Sequence, residues 1–474
     1  MVLGREKEKT LLDEILKSPK AEFVAVYGRR RVGKTFLIRQ YLTQHLVFDF
    51  TGSNQESNTV QLANFFREFK KQCIDSGEKP QDWSEAFSLL SDYLHSLDKS
   101  KKVVVFFDEM PWLDKQKSGF LGALQYFWNQ HGTQMPHLVL ITCGSAASWM
   151  IKNITESTGG LYNRVTYRIE LKPFNLQEVE AFLKHKNITF TRYQIAQLYM
   201  VIGGIPFYLD FIKQGKSVNQ VIEELCFSET GLLRNEFKLL YHSLFKEAES
   251  HIKIIETLAN HAYGLTRQQI IEKTKIPQGG SFQRAIENLI DCGFILPSYA
   301  FGKQNKETVF RVIDFYSIFY LRFIKENLGS QKNTWQSISE SANYQAWSGY
   351  AFENICMVHT PQIHKALGIN GIYTQTCAWR FAGNSEMQGA QVDLLIDRKD
   401  GIIHLFEAKF TNQNFLLTKE YCGKLRQKRA SFLYATKTKK NVVTSLLTTY
   451  PAVKNEYYLE EIFSEVALDS LFEN

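Results

Sequence analysis

None of the seven cysteines in this 474-residue chain forms a CxxC pair, and their total is odd. Cys73, Cys143, Cys226, Cys292, Cys356, Cys377 and Cys422 stand singly, which argues against a disulfide framework and a zinc ribbon and fits a reducing cytoplasm. No apolar run approaches 18 residues, so no membrane span is expected. The charged start, MVLGREKEKTLLDEIL, is an amphipathic helix and not a signal peptide. Internal repeats and low-complexity tracts are also missing. A hydrophobic content of 44% supports well-formed cores, and the length suggests about three domains. The net charge of +7 permits a polyanionic partner without requiring one.

The most informative stretch is VAVYGRRRVGKT, Val24 to Thr35. An apolar strand runs into Gly28-Arg29-Arg30-Arg31-Val32-Gly33-Lys34-Thr35, and a helical pattern begins with Phe36. Strand, glycine-bounded loop and helix start are the order a phosphate-binding loop requires. Gly28 and Gly33 let the backbone curl so that N–H groups face phosphate oxygens, and the helix start adds further donors and a positive dipole end. Lys34 would reach the β- and γ-phosphates, and the Thr35 hydroxyl would hold Mg²⁺. About 70 residues later, the buried-strand sequence VVVFF ends in Asp108-Glu109. Asp108 would hold Mg²⁺ through water, and Glu109 would polarise the attacking water.

Gly4-Arg5-Glu6 ahead of the first helix, the loop VYGRRRVGKT, and Trp112-Leu113 after the acidic pair resemble the archaeal-type ATPases, relatives of the AAA+ and STAND P-loop proteins. The first helix then either covers the adenine ring or simply packs. The resemblance implies ATP and Mg²⁺ as cofactors and ATP hydrolysis as the reaction. It sets the strand Leu138 to Cys143 between the two site-bearing strands, making Ser145 a γ-phosphate sensor; an N-cap for a helix over 146–152 is the competing role. Arg164 becomes a transition-state arginine, acting in cis or on a neighbour in a homo-oligomer, with a plain surface arginine as the alternative. Residues 175–240 resemble a helical lid, in which Gly203-Gly204-Ile205-Pro206 is either a hinge or a helix stop.

From Ser250 the pattern is three short helices, the third over 281–292 with Ser281 as its cap. Strands at 294–296 and 309–312 follow, flanking a loop over 302–307. Three helices plus a hairpin predict a winged helix, whose third helix exposes Gln283, Arg284, Glu287 and Asn288 to DNA or to a protein partner. Residues 331–341 read as a linker.

In the last segment, strands Val392 to Ile396 and Ile402 to Lys409 are joined by a tight turn. Glu407 and Lys409, two apart on a strand, leave the same face, and Asp393 on the partner strand can meet them. Asp393 and Glu407, with Glu353 from the preceding helix, would bind Mg²⁺ or Mn²⁺, and Lys409 would assist the nucleophile. This constellation resembles the PD-(D/E)xK nucleases, with Val392 where that motif usually has proline; a simple Glu407–Lys409 salt bridge is the alternative. Residues 419–440 carry eight Lys or Arg against one acid. A helix over 419–430 and a strand over 431–435 are expected there, and the helix is either a phosphate-backbone contact or a solvated face.

The expected architecture is therefore α/β: a P-loop core (1–172), a helical lid (173–245), a winged helix (246–330) and a restriction-endonuclease-like domain (331–474). The function that follows is an ATPase controlling DNA binding or processing, or else a STAND-like ATP-controlled switch with an inactive nuclease-like domain. No membrane partner is expected.

Overall fold

A computed structural model describes the whole chain except residues 55, 74–76, 157–160, 162, 303–307, 330–333 and 474; for Ala300 and Asp393 it describes only the backbone. The chain divides into two units, Met1–Pro173 and Phe174–Asn474.

In the first unit, α1 (Glu6–Lys17), β1 (Glu22–Tyr27), α2 (Lys34–Tyr41), β2 (Leu46–Thr51), α3 (Asn58–Gln72) and α4 (Trp83–Ser96) lead to β3 (Val103–Asp108). Then come α5 (Phe120–Gln130), β4 (Leu138–Gly144), α6 (Ala147–Met150) and β5 (Tyr167–Glu170). All five strands are parallel, in the order β2-β3-β4-β1-β5. Every residue of β3 and β4 is buried, as their unbroken apolar runs require of strands covered on both faces. One face packs Phe23, Phe48, Phe50 and Phe107 against Phe65 and Phe69 of α3, Trp83 and Phe87 of α4, and Phe120 of α5. These rings meet mostly edge to face, the geometry their quadrupoles favour. This is a P-loop NTPase core: the strand bearing the glycine loop and the strand ending in Asp108 are separated by β4, so three chain turns converge at one end of the sheet.

The second unit opens with α7 (Leu176–His185), α8 (Arg192–Ile202), α9 (Pro206–Asp210), α10 (Val218–Ile222) and α11 (Glu236–Leu244). Gly204 lies where an added Cβ would come within 1.8 Å of the Phe174 carbonyl oxygen, and the Gly204 carbonyl accepts from Phe174 N–H at 2.6 Å. The glycine pair is thus a point of backbone-to-backbone contact. Next come α12 (Ala248–Ala259), β6 (Leu265–Thr266), α13 (Arg267–Thr274), α14 (Gly280–Asp291), β7 (Ile295–Ala300) and β8 (Val309–Val312). Helix α14 starts from Gly279, without a side-chain cap, rather than from Ser281. The expected loop reaches residues 303–307, which lie outside the described residues.

After α15 (Phe315–Phe319), the expected linker is helix α16 (Thr334–Ser339) over its described part. The reason is Trp335, which is buried against Phe227, Phe319 and Tyr344. There follow α17 (Ala342–Val358), α18 (Thr360–Ala366), β9 (Thr374–Phe381), β10 (Ala390–Arg398), β11 (Ile402–Lys409), α19 (Lys419–Thr436), β12 (Asn441–Thr448), α20 (Glu456–Glu461) and β13 (Ile462–Ala467). Residues 431–435 belong to α19, not to a strand. Cys422, Leu425 and Phe432 continue one buried stripe at helical spacing. Strands β9, β10 and β11 are antiparallel, while β11, β12 and β13 run parallel. Because β7 also pairs with β9, at Tyr299 opposite Cys377, the sheet runs without a break as β13-β12-β11-β10-β9-β7-β8-β6.

Candidate functional site

At the end of β1 the backbone passes through Gly28 at φ +140°, Arg31 at +70° and Gly33 at +90° before α2 begins at Lys34. Gly28 tolerates no side chain: a Cβ there would sit 2.4 Å from the Leu171 carbonyl oxygen. Lys34 is buried, and its Nζ donates to the Gly28 and Arg29 carbonyls at 2.9 and 2.8 Å. The ammonium therefore lies across the loop that the motif assigns to phosphate. One residue on, Thr35 Oγ1 donates to Asp108 Oδ2 at 2.7 Å, while Glu109 N–H donates to Asp108 Oδ1 at 2.9 Å. A hydroxyl and a carboxylate meeting at one point form the hard-oxygen donor set that Mg²⁺ takes, usually completed by phosphate and water. The residues present fit that ion. Val32 is buried, Arg30 half-buried, and Phe36 exposed at the first turn of α2.

Glu109 adopts a left-handed backbone, φ +47°, uncommon for a residue with a side chain and a known mark of functional turns. Its carboxylate receives Ser145 Oγ at 2.5 Å on Oε1 and Ser145 N–H at 3.2 Å on Oε2. Ser145 thus caps no helix: α6 has Ala146 at its N-cap and no side-chain cap. The position of β4 between β1 and β3 brings this serine beside the acidic pair. Arg164 is exposed in the turn before β5. Thr166 N–H bonds the Phe23 carbonyl, and Tyr167 lies opposite Val24, so Arg164 is at the end of the sheet remote from the loop after Tyr27.

Two arginines escaped the sequence reading. Arg39, one helical turn after Thr35, makes a two-point pair with Asp49 (2.6 and 3.0 Å) and donates to Thr51 Oγ1 at 2.8 Å; Thr51 is the β2 partner of Asp108. The Asp49 hydrogen bond raises its pKa further. Arg5 is buried and bonds the Val32 and Lys172 carbonyls. Only the i,i+4 spacing from Thr35 and the short Gly4-Arg5-Glu6 motif hinted at either.

The C-terminal carboxylates are arranged otherwise. Glu407 and Lys409 do share a face, with Nζ and Oε1 2.8 Å apart. Lys428, from α19, reaches Oε2 of the same carboxylate at 2.6 Å, and the Tyr421 hydroxyl also donates to it. Although burial favours the neutral acid, Lys428 and Lys409 outweigh it and hold the Glu407 carboxyl down at about 2. Glu353 pairs with Arg311 of β8 at 3.0 Å. Its helix packs Phe352 on Phe410, on the face of β11 opposite that of Glu407 and Lys409, which α19 covers. Glu353 is thus not brought to Glu407, because the sheet lies between them. The backbone register Leu394 to Phe406 sets Asp393 level with Glu407, beside an irregularity in the β9–β10 ladder; its side chain lies outside the described residues. Among the described residues, no group of three or more His, Cys, Asp or Glu side chains forms a metal site.

The basic run is also largely spent within the domain. Arg426 and Arg429 pair with Glu461, Arg426 with Glu460, Lys424 with Glu420, and Lys440 with Asp397. With Lys428 on Glu407, five of the eight basic residues are paired, to acids of β10, β11, α19 and α20, so the run carries less unpaired positive charge than its count along residues 419–440 suggests.

The parallel sheet, the glycine loop and the paired Thr35 and Asp108 define an ATP-binding P-loop ATPase. Residues 3–212 match the model of the family described as an ATPase domain predominantly from Archaea. The chain is 26% identical over 379 residues to an uncharacterized protein of Methanocaldococcus jannaschii, covering 77% of this chain and 78% of the relative, so that likeness extends past the ATPase domain. Among solved structures it is similar to the walker-type ATPase of Pyrococcus abyssi (20% identity, 68% of this chain and 96% of that one, TM-score 0.49). It is also similar to the ORC2 protein of Aeropyrum pernix (13% identity, 71% and 95%, TM-score 0.40). Among the described residues no helix is long and apolar enough to cross a membrane.

Proposed function

We propose that this chain hydrolyses ATP and uses its nucleotide state to control contact with DNA. The observation that carries the reading is the Glu109 carboxylate, held by Ser145 one residue beyond the Asp108–Thr35 pair. In this role Lys34 leaves the loop carbonyls for the β- and γ-phosphates, and the amides of Gly28 to Thr35 cradle them. Thr35 and Asp108 would hold Mg²⁺, which supplies charge neutralisation when bound. Glu109 accepts the proton of the attacking water while Ser145 keeps its carboxylate in place. Arg164, at the end of the sheet remote from the phosphate loop, would then act on a neighbouring chain's site in a homo-oligomer.

DNA contact falls to the module of α12, α13, α14 and the β7–β8 hairpin, whose arrangement supports the winged-helix reading; α14 exposes Arg284 and Glu287. The test is Mg²⁺-dependent ATP turnover and DNA binding at low and high salt, with and without nucleotide. DNA binding that depends on nucleotide and weakens as salt rises supports the proposal, and no binding at low salt overturns its DNA part.

A second reading of the C-terminal domain is favoured by Glu407, whose oxygens are taken by Lys409, Lys428 and Tyr421. On this reading the PD-(D/E)xK-like domain is a platform that cuts nothing. Incubation with plasmid DNA and Mn²⁺ or Mg²⁺ decides it. Cleavage that disappears in Lys409→Ala would restore the nuclease, with Asp393 and Glu407 as its metal ligands.

A further inference from the structure

A phosphate-binding loop works only if its amides point inward, and peptide planarity then forces the matching carbonyls outward. Those carbonyls need donors of their own. Val32 precedes Gly33, so the direction of the Val32 carbonyl fixes that of the Gly33 N–H, which is anti to it across the same trans peptide. That carbonyl accepts from Arg5 Nη2 at 2.9 Å. The other arm of the guanidinium, Nη1, donates to the Lys172 carbonyl at 2.7 Å, at the end of the unit.

Arg5 stands in this position at two costs. Its charged side chain is in a residue only 4% exposed, and its backbone is left-handed, φ +61° and ψ +31°. The left-handed turn follows Gly4, also at positive φ, and its carbonyl accepts the first bond of α1 from Lys9 N–H at 2.8 Å. A residue serving only to start the helix would need neither a buried guanidinium nor this backbone. Strain and buried charge held together beside a binding loop point to function.

We infer that Arg5 is the positioning residue of the phosphate loop. Its guanidinium holds the Val32 carbonyl outward, so that the Gly33 amide faces the nucleotide phosphates, and ties the loop's state to the segment ending at Lys172. This rests on ATP occupying the loop. Arg5 touches no phosphate, so it acts through Val32 and not on the reacting atoms. A lysine at this place can reach one of the two carbonyls but cannot fork to both.

The experiment measures ADP and ATP binding by calorimetry in the wild type, Arg5→Lys and Arg5→Ala, with hydrogen exchange of the segment 167–173 with and without saturating ADP. Arg5→Lys is expected to weaken both nucleotides about tenfold or more. Turnover at saturating ATP stays within about threefold, since the lost bond acts equally in the ground and transition states. Exchange in 167–173 slows on ADP addition in the wild type and not in Arg5→Lys. Methylguanidinium restores nucleotide affinity to Arg5→Ala, whereas methylammonium does not; should Arg5→Ala fail to fold, Arg5→Lys carries the test. Wild-type affinity in Arg5→Lys, or ADP-dependent slowing equal to that of the wild type, overturns the inference. A wild-type chain that binds no nucleotide overturns the ATP reading itself, and this inference with it.

Discussion

Two carboxylate sites end strands in this protein, and their partners differ in kind. Asp108 and Glu109 are held by neutral donors: the hydroxyls of Thr35 and Ser145 and two backbone amides. Glu407 is held by two ammonium groups and a phenol. A neutral hydroxyl yields to a divalent cation cheaply, and can itself become a ligand. An ammonium already satisfies the carboxylate's charge, so an incoming cation must first expel it. The first site is built to exchange partners; the second is built to keep them.

Breaking the exchangeable site should have the largest effect. Lys34→Ala removes the cation meant for the phosphates, and ATP turnover should fall by about 10²-fold or more, read by phosphate release. Glu109→Gln should keep ATP affinity and lose about 10²- to 10⁴-fold in turnover; unchanged turnover in that variant would falsify the assignment of the base. At the closed site the expected losses are in stability. Lys428→Ala leaves Glu407 with one cation fewer in a half-buried setting and should cost about 2 kcal/mol in urea unfolding, with no change in ATP turnover.

Acid sharpens the same contrast. The Glu407 carboxyl is held at about 2, against an unfolded value of about 4.3. The folded pKa is the lower one, so the pair's contribution is fully present above about pH 5 and is lost as the pH falls from there towards 2. Unfolding midpoints measured from pH 7 down to 3 should decline less steeply in Lys428→Ala than in the wild type. The smallest effect belongs to Lys424→Ala, whose pair with Glu420 is exposed on both sides; its unfolding midpoint should not move measurably.

What the sequence made legible was local chemistry. Gly28 to Thr35 reads as a phosphate loop because every requirement lies within eight consecutive positions. Asp108-Glu109 reads as its complement because an unbroken apolar strand leads into it. Ser145 could be brought near the site only through the strand order that the family resemblance supplied. The illegible parts depend on partners far away in the chain. The ammonium that closes Glu407 comes from Lys428, and Arg426 and Arg429 find Glu461 more than 30 residues on. Counting charges along 419–440 therefore overstated the charge available to DNA. Glu353 failed for a geometric reason: which face of β11 its helix would cover is a packing outcome. Trp335 misled through composition, since one large ring inside a polar, serine-bearing stretch was enough to anchor a helix.

The ladder between β7 and β9 has a consequence for anyone wishing to cut the protein into pieces. Ending a shortened chain before β9 would strip β7 of its parallel neighbour and leave the amides and carbonyls near Tyr299 facing water. Starting one after β8 would bare the matching groups of β9 around Cys377 and Ala378. Either fragment would carry a raw sheet margin, the kind that recruits strands from other molecules and precipitates. Residues 174–474 should therefore be expressed, and inherited, as one piece.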